Sequence, residues 1–378
     1  MSRSPVLFLT VLIVGALLVL ATMVSTPGES PQDFHKRVTL AEQKSSPPPE
    51  PKLTEAQVAL QQQLGDLGEA FNGDVGIAVT QADTLATMSY TGTKRFPQQS
   101  VSKLWVSLTA LDLRDEGALD LSEPVTLRAE DLTVFHQPLR DIVRARGSFT
   151  TDYADLINRA ITQSDNTAND RLLRRVGGPS AVEGFLRRNQ ISGVQFGTDE
   201  RTKQSRIAGL KWKQAYSVDN AFYDARDLVS EEDRRNAFEA YLADPIDGAS
   251  PVGITKALAR LARGDLLSEN STGLIVSTMQ RTRSGPRRLK GGVPAGWTIA
   301  HKTGTGQFFD GVQSGYNDIG ILTAPDGTNY TIAVMIGSTR ASYAARMGMM
   351  QEVTRSVVRY HDQRGAQVNP DPDPETIS

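Results

Sequence analysis

The chain has 378 residues, 39% of them hydrophobic and 22% charged, which is typical of a globular protein with one large domain or two small ones. Its 41 Lys and Arg residues nearly balance 43 Asp and Glu residues, and the formal net charge is -2. Such a chain lacks the overall positive charge that nucleic-acid binding favours. The absence of cysteine excludes disulfides, thiolate nucleophiles and cysteine-ligated metal sites.

An apolar segment lies close to the N-terminus. Val6 to Val24 form 19 consecutive uncharged residues, enough to cross the hydrocarbon core of a bilayer as a helix. Arg3 precedes the segment, which favours a cytoplasmic N-terminus and export of the rest of the chain. A cleaved signal peptide is the alternative, but the segment is longer than a usual signal core and no clear Ala-x-Ala site follows. We therefore expect residues 1–24 to act as a membrane anchor.

Two proline-rich segments flank the expected folded domain of residues 53–362. Residues 25–52 carry six prolines among polar and charged residues, a composition typical of an extended spacer. Residues 363–378 carry three more prolines between acidic residues and are expected to form a disordered tail.

Helices and strands are expected at both ends of this domain. Thr54 and Gln57 form a capping-box pattern before apolar residues at helical spacing, so a helix comes first. Alternating residues then predict an antiparallel pair of strands, through Val75–Val79 and Met88–Tyr90. Near the far end, the segments WTIAHKTGTG, NDIGILTAP and YTIAVMIGS predict three more strands, and apolar residues from Met350 predict a closing helix.

The middle of the domain, from about Val101 to Leu267, is expected to consist of helices joined by loops. This order of elements predicts an α+β fold, in which an antiparallel sheet is flanked by helices and accompanied by a mostly helical subdomain.

Three short motifs carry residues suited to one reaction. Ser100 and Lys103 lie three apart at an expected helix start, where a buried lysine can take the proton of the serine hydroxyl. Ser164-Asp165-Asn166 lies between two helical segments, and Lys302-Thr303-Gly304 ends an expected strand. Each motif alone is explained by caps, solvated charges or a turn. Their occurrence together, in this order, favours the functional interpretation.

With these motifs the chain resembles the class A β-lactamases and the related penicillin-binding serine acyltransferases, from about Leu53 to His361. The resemblance implies that Ser100 is the acylated nucleophile, Lys103 its proton partner and Ser164 a proton relay to the leaving nitrogen. It also implies that Asn166 binds the substrate's side-chain amide, and that the backbone amides of Ser100 and Thr305 form an oxyanion hole.

The substrate carboxylate would be bound near the third motif. The resemblance implies that Lys302, Thr303, Gly304 and Thr305 line this part of the cleft. Arg288, 14 residues before Lys302, matches an arginine that supplements carboxylate binding in some class A enzymes. Since other basic residues surround Arg288, a solvated basic turn is the alternative.

Deacylation in class A enzymes uses a loop glutamate that activates water, but the usual Glu-x-x-Leu-Asn motif is missing here. Glu200 lies 36 residues after Ser164, the interval that the resemblance requires, and Gln204 replaces the asparagine. A solvated loop acid is the alternative for Glu200. The segment that follows, at about 205–245, is longer than in the usual family member, and Ser230 to Asp233 predict a helix start within it.

The four histidines show no paired metal-ligand spacing, so no metal site is expected, and the resemblance implies a reaction without a cofactor. His301 is expected to be the one histidine near the cleft and to point away from Lys302.

The resemblance implies a serine β-lactamase that hydrolyses β-lactam amide bonds through an acyl-Ser100 intermediate, which a Glu200-activated water removes. With the apolar segment at residues 6–24, we expect this enzyme to be periplasmic and anchored in the bacterial inner membrane. A D,D-peptidase or transpeptidase acting on peptidoglycan peptides and a non-catalytic penicillin-binding sensor are the alternatives.

Overall fold

The computed structural model describes residues 53–368, with side chains through residue 364. The predicted anchor and linker, residues 1–52, lie outside the described residues, as do the last ten residues of the predicted tail. Within the described part, no helix has both the length and the apolar character that crossing a bilayer requires.

A six-stranded antiparallel sheet forms the centre of the domain. Its strands run in the spatial order β2-β1-β10-β9-β7, and β8 pairs with β9. The bounds of these strands are β1 Gly73–Gln81, β2 Thr87–Tyr90, β7 Thr298–Thr305, β8 Phe308–Phe309, β9 Val312–Thr323 and β10 Asn329–Thr339. The five strands predicted from the sequence are all present, and β7, which carries the third motif, lies at one edge.

Twelve α-helices surround this sheet in the described part of the chain. They are α1 Glu55–Ala70, α2 Lys103–Asp115, α3 Leu139–Arg146, α4 Tyr153–Asn158, α5 Asn166–Arg175, α6 Pro179–Arg188, α7 Glu200–Ile207, α8 Ala221–Asp227, α9 Glu231–Ala243, α10 Pro251–Ala262, α11 Glu269–Gln280 and α12 Tyr343–Val368. The predicted capping box at Thr54 and Gln57 starts α1. The last helix continues beyond residue 362, the predicted end of the domain.

The alternation of residues along the strands gives the sheet two apolar faces. On one face, Ile332 and Val334 pack with Leu64 of α1 and Val353 of α12. On the other face, Ala333 and Met335 belong to the larger core that contains Trp105 of α2 and the helical subdomain. The predicted α+β fold with a helical subdomain is therefore confirmed.

The middle of the domain differs from its prediction in one respect. Besides helices it contains three short strands, with a fourth, β3 Phe96–Pro97, just before it. Strand β4 (Pro124–Leu127) pairs with β5 (Phe149–Asp152), and β3 pairs with β6 (Gly248–Ala249). These strands are two to four residues long, too short for a period-2 pattern to distinguish them from loops.

Candidate active site

The first motif lies at the junction of the sheet and the helical subdomain. Residues Gln99–Ser102 form one 3₁₀ turn, which leads directly into α2 at Lys103. The prediction of a helix beginning near Ser100 is therefore correct in place, but its first turn is the tighter 3₁₀ form. The Lys103 ammonium Nζ lies 2.9 Å from Ser100 Oγ and donates a hydrogen bond to it.

Lys103 is fully buried, whereas Ser100 is partly exposed at the cleft. Burial lowers the pKa of the Lys103 ammonium below its ordinary value, although the Glu200 carboxylate acts in the opposite direction. The lowered pKa increases the fraction of the neutral amine, which is the form able to accept the proton of Ser100.

The second and third motifs meet across the cleft from Ser100. Ser164 ends the π-helical turn Arg159–Gln163 with a left-handed backbone, φ 60°. Asp165 then caps α5, accepting a hydrogen bond from the backbone N–H of Ala168 at 2.9 Å. The Lys302 Nζ donates to Ser164 Oγ at 2.9 Å, so a cation contacts the predicted proton relay directly.

Lys302 is completely buried at the edge of the sheet. Burial, together with the positive charges of Lys103 and Arg288, lowers the pKa of Lys302 well below its ordinary value. Since a substrate carboxylate would oppose this effect, the site is suited to attracting an anion.

Asn166 is buried at the start of α5 and its Nδ2 donates to the carbonyl oxygen of Val134 at 2.8 Å. One amide hydrogen is thus engaged within the protein. The predicted contact with a substrate amide has to use the other hydrogen or the Oδ1 atom.

A cavity of about 230 Å³ joins the three motifs. Its lining comprises Ser100, His136, Gln163, Ser164, Ser284, Arg288, Thr303 and Thr305. Five of these residues were predicted from the sequence. Ser284 was not, and its hydroxyl lies 2.6 Å from Thr303 Oγ1 at the end predicted to bind a carboxylate.

Arg288 is buried, unlike its exposed neighbours Arg287 and Lys290. Its guanidinium donates to the carbonyl oxygen of Gly304 at 2.9 Å and to Thr305 Oγ1 at 2.6 Å, and it stacks on Tyr316. The alternative of a solvated basic turn therefore does not describe this arginine. Its charge lies beneath the end of β7 and holds that strand end in place.

Gly304 has a packing reason to be glycine. A Cβ atom at this position would lie 2.3 Å from the carbonyl oxygen of Gln98. The strand thus passes close to the chain's own backbone just before Ser100, which aligns β7 with the nucleophile.

Glu200 begins α7 and is almost fully buried. Its Oε2 lies 3.2 Å from Lys103 Nζ, and its Oε1 accepts a hydrogen bond from Gln204 Nε2 at 2.8 Å. The alternative of a solvated loop acid is therefore wrong for the environment of this residue. Because Lys103 contacts both Glu200 and Ser100, the carboxylate and the hydroxyl belong to one hydrogen-bonded group.

Burial alone would raise the pKa of Glu200, but the positive charges of Lys103 and Lys203 lower it below its ordinary value. Glu200 is therefore ionised at neutral pH, as a general base must be. Asp170 accepts a hydrogen bond from the Glu200 backbone N–H at 3.1 Å. Burial and the negative charges of Asp199 and Glu200 raise the pKa of Asp170 to about 6, although the Arg201 guanidinium at 3.7 Å acts in the opposite direction.

A family model for the β-lactamase enzyme family matches residues 59–361 of the chain. The chain belongs to this family. The class A resemblance drawn from the motifs, and with it the prediction of a class A β-lactamase-like hydrolase, is confirmed.

Curated relatives carry the same name. The extended-spectrum β-lactamase PER-1 of Pseudomonas aeruginosa is 27% identical over 82% of this chain and 90% of its own length. The β-lactamase CTX-M-6 of Salmonella typhimurium is 25% identical over 66% of this chain and 73% of its own length.

Solved structures share the fold. An ancestral class A β-lactamase aligns with a TM-score of 0.62 at 28% identity, covering 79% of this chain and 99% of the ancestral one. A β-lactamase from Chitinophaga pinensis aligns with a TM-score of 0.66 at 25% identity, over 80% of this chain and 99% of its own.

In the described part of this member of the β-lactamase family, two histidines lie near the cleft. His301 is buried and bonds Asp318 through Nδ1 at 3.0 Å, away from the Lys302 contact with Ser164, as expected. However, the prediction that His301 is the one histidine near the cleft is wrong. His136 also lines the cavity, with its Nε2 2.8 Å from the carbonyl oxygen of Gln163. Only the fold brings His136 there, and no sequence motif marks it.

The long segment after Glu200 contributes to the surroundings of the site. Ser230 caps α9 as predicted, and Tyr241 of this helix bonds Gln99 Nε2 at 2.7 Å. Helix α8, which the sequence analysis missed, supplies Tyr223 and Arg226 to a second cavity, of about 460 Å³, that reaches Thr305. The segment thus both covers the nucleophile turn and extends the cleft.

Proposed function

We propose that this protein hydrolyses β-lactam amide bonds through an acyl-Ser100 intermediate, with Glu200 as the base for deacylation. The observation that carries the proposal is the contact of one buried amine, Lys103, with both Ser100 Oγ and Glu200 Oε2, at 2.9 and 3.2 Å. This contact supports the proposal because it connects the hydroxyl proposed as nucleophile, the amine proposed as its proton acceptor and the carboxylate proposed as the second base.

In the acylation step, Ser100 Oγ attacks the lactam carbonyl carbon and its proton passes to Lys103. The carbon–nitrogen bond of the lactam then breaks, and the nitrogen takes a proton from Ser164 Oγ. The proton that Lys103 accepted from Ser100 passes to Ser164 and restores its hydroxyl. The contact of Lys302 with Ser164, at 2.9 Å, supports this relay because the ammonium stabilises negative charge on the hydroxyl oxygen. The backbone amides of Ser100 and Thr305 are proposed to stabilise the oxyanion.

In the deacylation step, Glu200 takes a proton from water as the water oxygen attacks the acyl carbon. The ester bond to Ser100 breaks, and the serine oxygen takes up the proton that Glu200 accepted from water, which returns Glu200 to its ionised form. The burial of Glu200 and its ionised state support this role.

Binding of the substrate carboxylate is assigned to the end of the cleft formed by Thr303, Thr305 and the cations Lys302 and Arg288. Arg288 acts there mainly from beneath the strand, since its guanidinium is occupied by Gly304 and Thr305. The substrate's side-chain amide is assigned to Asn166.

The location is proposed to be extracytoplasmic, with residues 6–24 as the anchor. The 19 uncharged residues of this segment support the assignment.

Turnover of a chromogenic cephalosporin and mass spectrometry test the reaction together. The wild-type protein is expected to turn over continuously, and a brief exposure to benzylpenicillin is expected to add one penicilloyl group on the peptide containing Ser100. Ser100→Ala is expected to lose both. An adduct that persists in Ser100→Ala would contradict the mechanism. A wild-type adduct that forms but does not clear would favour a penicillin-binding peptidase or sensor instead.

A further inference from the structure

A second buried lysine, Lys203, contacts Glu200 and takes no part in the reaction described above. It lies one turn along α7 from Glu200 and is 1% exposed. It occupies the leucine position of the family's Glu-x-x-Leu-Asn motif. A cation that replaces an apolar residue next to a buried general base calls for a physical explanation, because its burial is costly unless it is paired.

The partners of Lys203 come from three separate parts of the chain. Its ammonium Nζ lies 3.3 Å from Glu200 Oε2 and 3.2 Å from Asp247 Oδ2. It also donates to the carbonyl oxygen of Gln99 at 3.3 Å. Both carboxylates are buried, so Lys203 is their shared counter-ion, with Lys103 as the second cation beside Glu200.

The same contacts hold the residue before the nucleophile. Gln99 has a left-handed backbone, φ 55°, which is uncommon for a residue other than glycine. Its N–H donates to Asp247 Oδ2 at 2.8 Å while its carbonyl accepts from Lys203. The Asp247 carboxylate also accepts from Tyr241 of α9 at 2.9 Å. The nucleophile turn, the base and the long segment are thus joined through one ammonium.

We propose that Lys203 is a positioning residue for deacylation, whose charge keeps Glu200 ionised and fixes its Oε2 atom beside the turn that carries Ser100. Asp247 is the counter-ion that makes this buried charge tolerable. The inference rests on the proposed role of Glu200 as base.

The sign of the expected pH effect follows from the charges around Glu200. The charged or titratable groups around Glu200 on other elements are Lys103 of α2, Asp170 of α5, Tyr241 of α9, Asp247 before β6 and Lys302 of β7. Lys203 lies on the same helix as Glu200, and Asp199 and Arg201 flank Glu200 in the chain. Removing Lys203 removes one of the two cations in contact with Glu200. Its carboxylate then takes up a proton at higher pH, and the base is lost earlier as the pH falls.

The experiment measures the deacylation rate of a preformed acyl-enzyme against pH. We compare the wild type with Lys203→Met, Lys203→Arg and the double variant Lys203→Met/Asp247→Asn. The double variant removes the buried charge of Asp247 together with its counter-ion, so it is expected to regain thermal stability that Lys203→Met loses. In the pH profile of the deacylation rate, the acid limb is expected to move to higher pH by about 1 to 3 units in both variants that contain Lys203→Met. Lys203→Arg is expected to keep the wild-type limb, because its charge is retained.

Two outcomes would overturn the inference. If the acid limb of the deacylation profile lies at the same pH in the double variant as in the wild type, Lys203 only neutralises Asp247. A shift in Lys203→Arg as large as in the methionine variants would mean that the charge is not the cause. Glu200→Gln serves as the separate test of the underlying function. If Glu200→Gln turns over like the wild type, the proposed base is wrong. If Glu200→Gln stalls as an acyl-enzyme but the acid limb of the double variant is not shifted, only the role of Lys203 is contradicted.

Discussion

At the scale of single residues, charge and burial decide what the site can do. Lys103, Lys203 and Lys302 are all buried within one site, but their ammonium groups contact different partners. Lys103 and Lys203 contact the Glu200 carboxylate, whereas Lys302 contacts a serine hydroxyl and a backbone carbonyl. Among the residues that the structure describes, Lys302 therefore has no anionic partner in hydrogen-bond contact, and a substrate carboxylate can fill that role.

This difference predicts a loss of substrate capture at alkaline pH. The pKa of Lys302 is lowered, so its positive charge is lost as the pH rises through that pKa, at a lower pH than for an ordinary lysine. The value of kcat/KM for an anionic β-lactam should fall there, because kcat/KM reports ionisations of the free enzyme. Lys302→Arg retains its charge to pH 12 or so, and its alkaline limb should move up by at least about one unit.

The matched control for this variant is Lys290→Arg, an exposed lysine of the preceding turn, which should leave the profile unchanged. An alkaline limb that stays in place in Lys302→Arg would show that another group causes it.

The three motifs, together with the family resemblance that they carry, were enough to predict most of the candidate site from the sequence. The predicted site residues lie around one cleft, and Glu200, placed only by its interval from Ser164, is buried against Lys103. Ser284, His136 and Lys203 were missed for a physical reason. Their importance comes from contacts with residues distant in the chain, and no local spacing carries that information.

At the scale of elements, the position of β7 relative to the 3₁₀ turn is the central feature. Asn317 of β9 donates to the carbonyl oxygens of Pro97 at 2.7 Å and Gln98 at 3.1 Å, which ties the sheet to the turn. Gly304 permits the close approach on the neighbouring strand. The long strands were predicted because their alternation extends over many residues, whereas α8 and the two-residue strands are too short to show a period.

Gly304→Ala should therefore separate the strand from the nucleophile turn. The added methyl group would lie 2.3 Å from the Gln98 carbonyl oxygen, a backbone atom that cannot move without shifting the turn. We expect a loss of about 1 to 3 kcal/mol in the free energy of unfolding, and a fall in kcat/KM because Ser100 moves relative to β7.

Thermal denaturation and steady-state kinetics measure the two effects. Gly273→Ala in the middle of α11 is the control, because a Cβ there meets no atom within 4 Å. It should be neutral or slightly stabilising. Wild-type stability and activity in Gly304→Ala would contradict the role assigned to this glycine.

At the scale of the whole molecule, the structure describes residues 53–368, and the family match at residues 59–361 falls within this range. The segments on either side were interpreted from composition alone. The apolar residues 6–24 lie outside the described residues, so the anchor stays a prediction.

We expect the full-length protein to fractionate with membranes and resist extraction by alkaline carbonate, because 19 uncharged residues are long enough to span the bilayer. The chain from residue 53 onwards, exported with a cleavable signal, should be released as active soluble enzyme with an unchanged kcat/KM. Full-length protein that is recovered soluble, with a mature N-terminus near residue 25, would mean that the segment is a cleaved signal peptide.

The most direct test of the whole account is pre-steady-state turnover in Glu200→Gln. Acylation at Ser100 should proceed, but deacylation should slow by about 10²- to 10⁴-fold, because only the second step loses its base. A chromogenic cephalosporin should give a burst of one product equivalent per enzyme followed by a nearly flat phase, with the acyl-enzyme visible by mass spectrometry. Glu232→Gln, an exposed acid on α9, is the control and should turn over normally. Steady turnover without a burst in Glu200→Gln, equal to the wild type, would contradict the account.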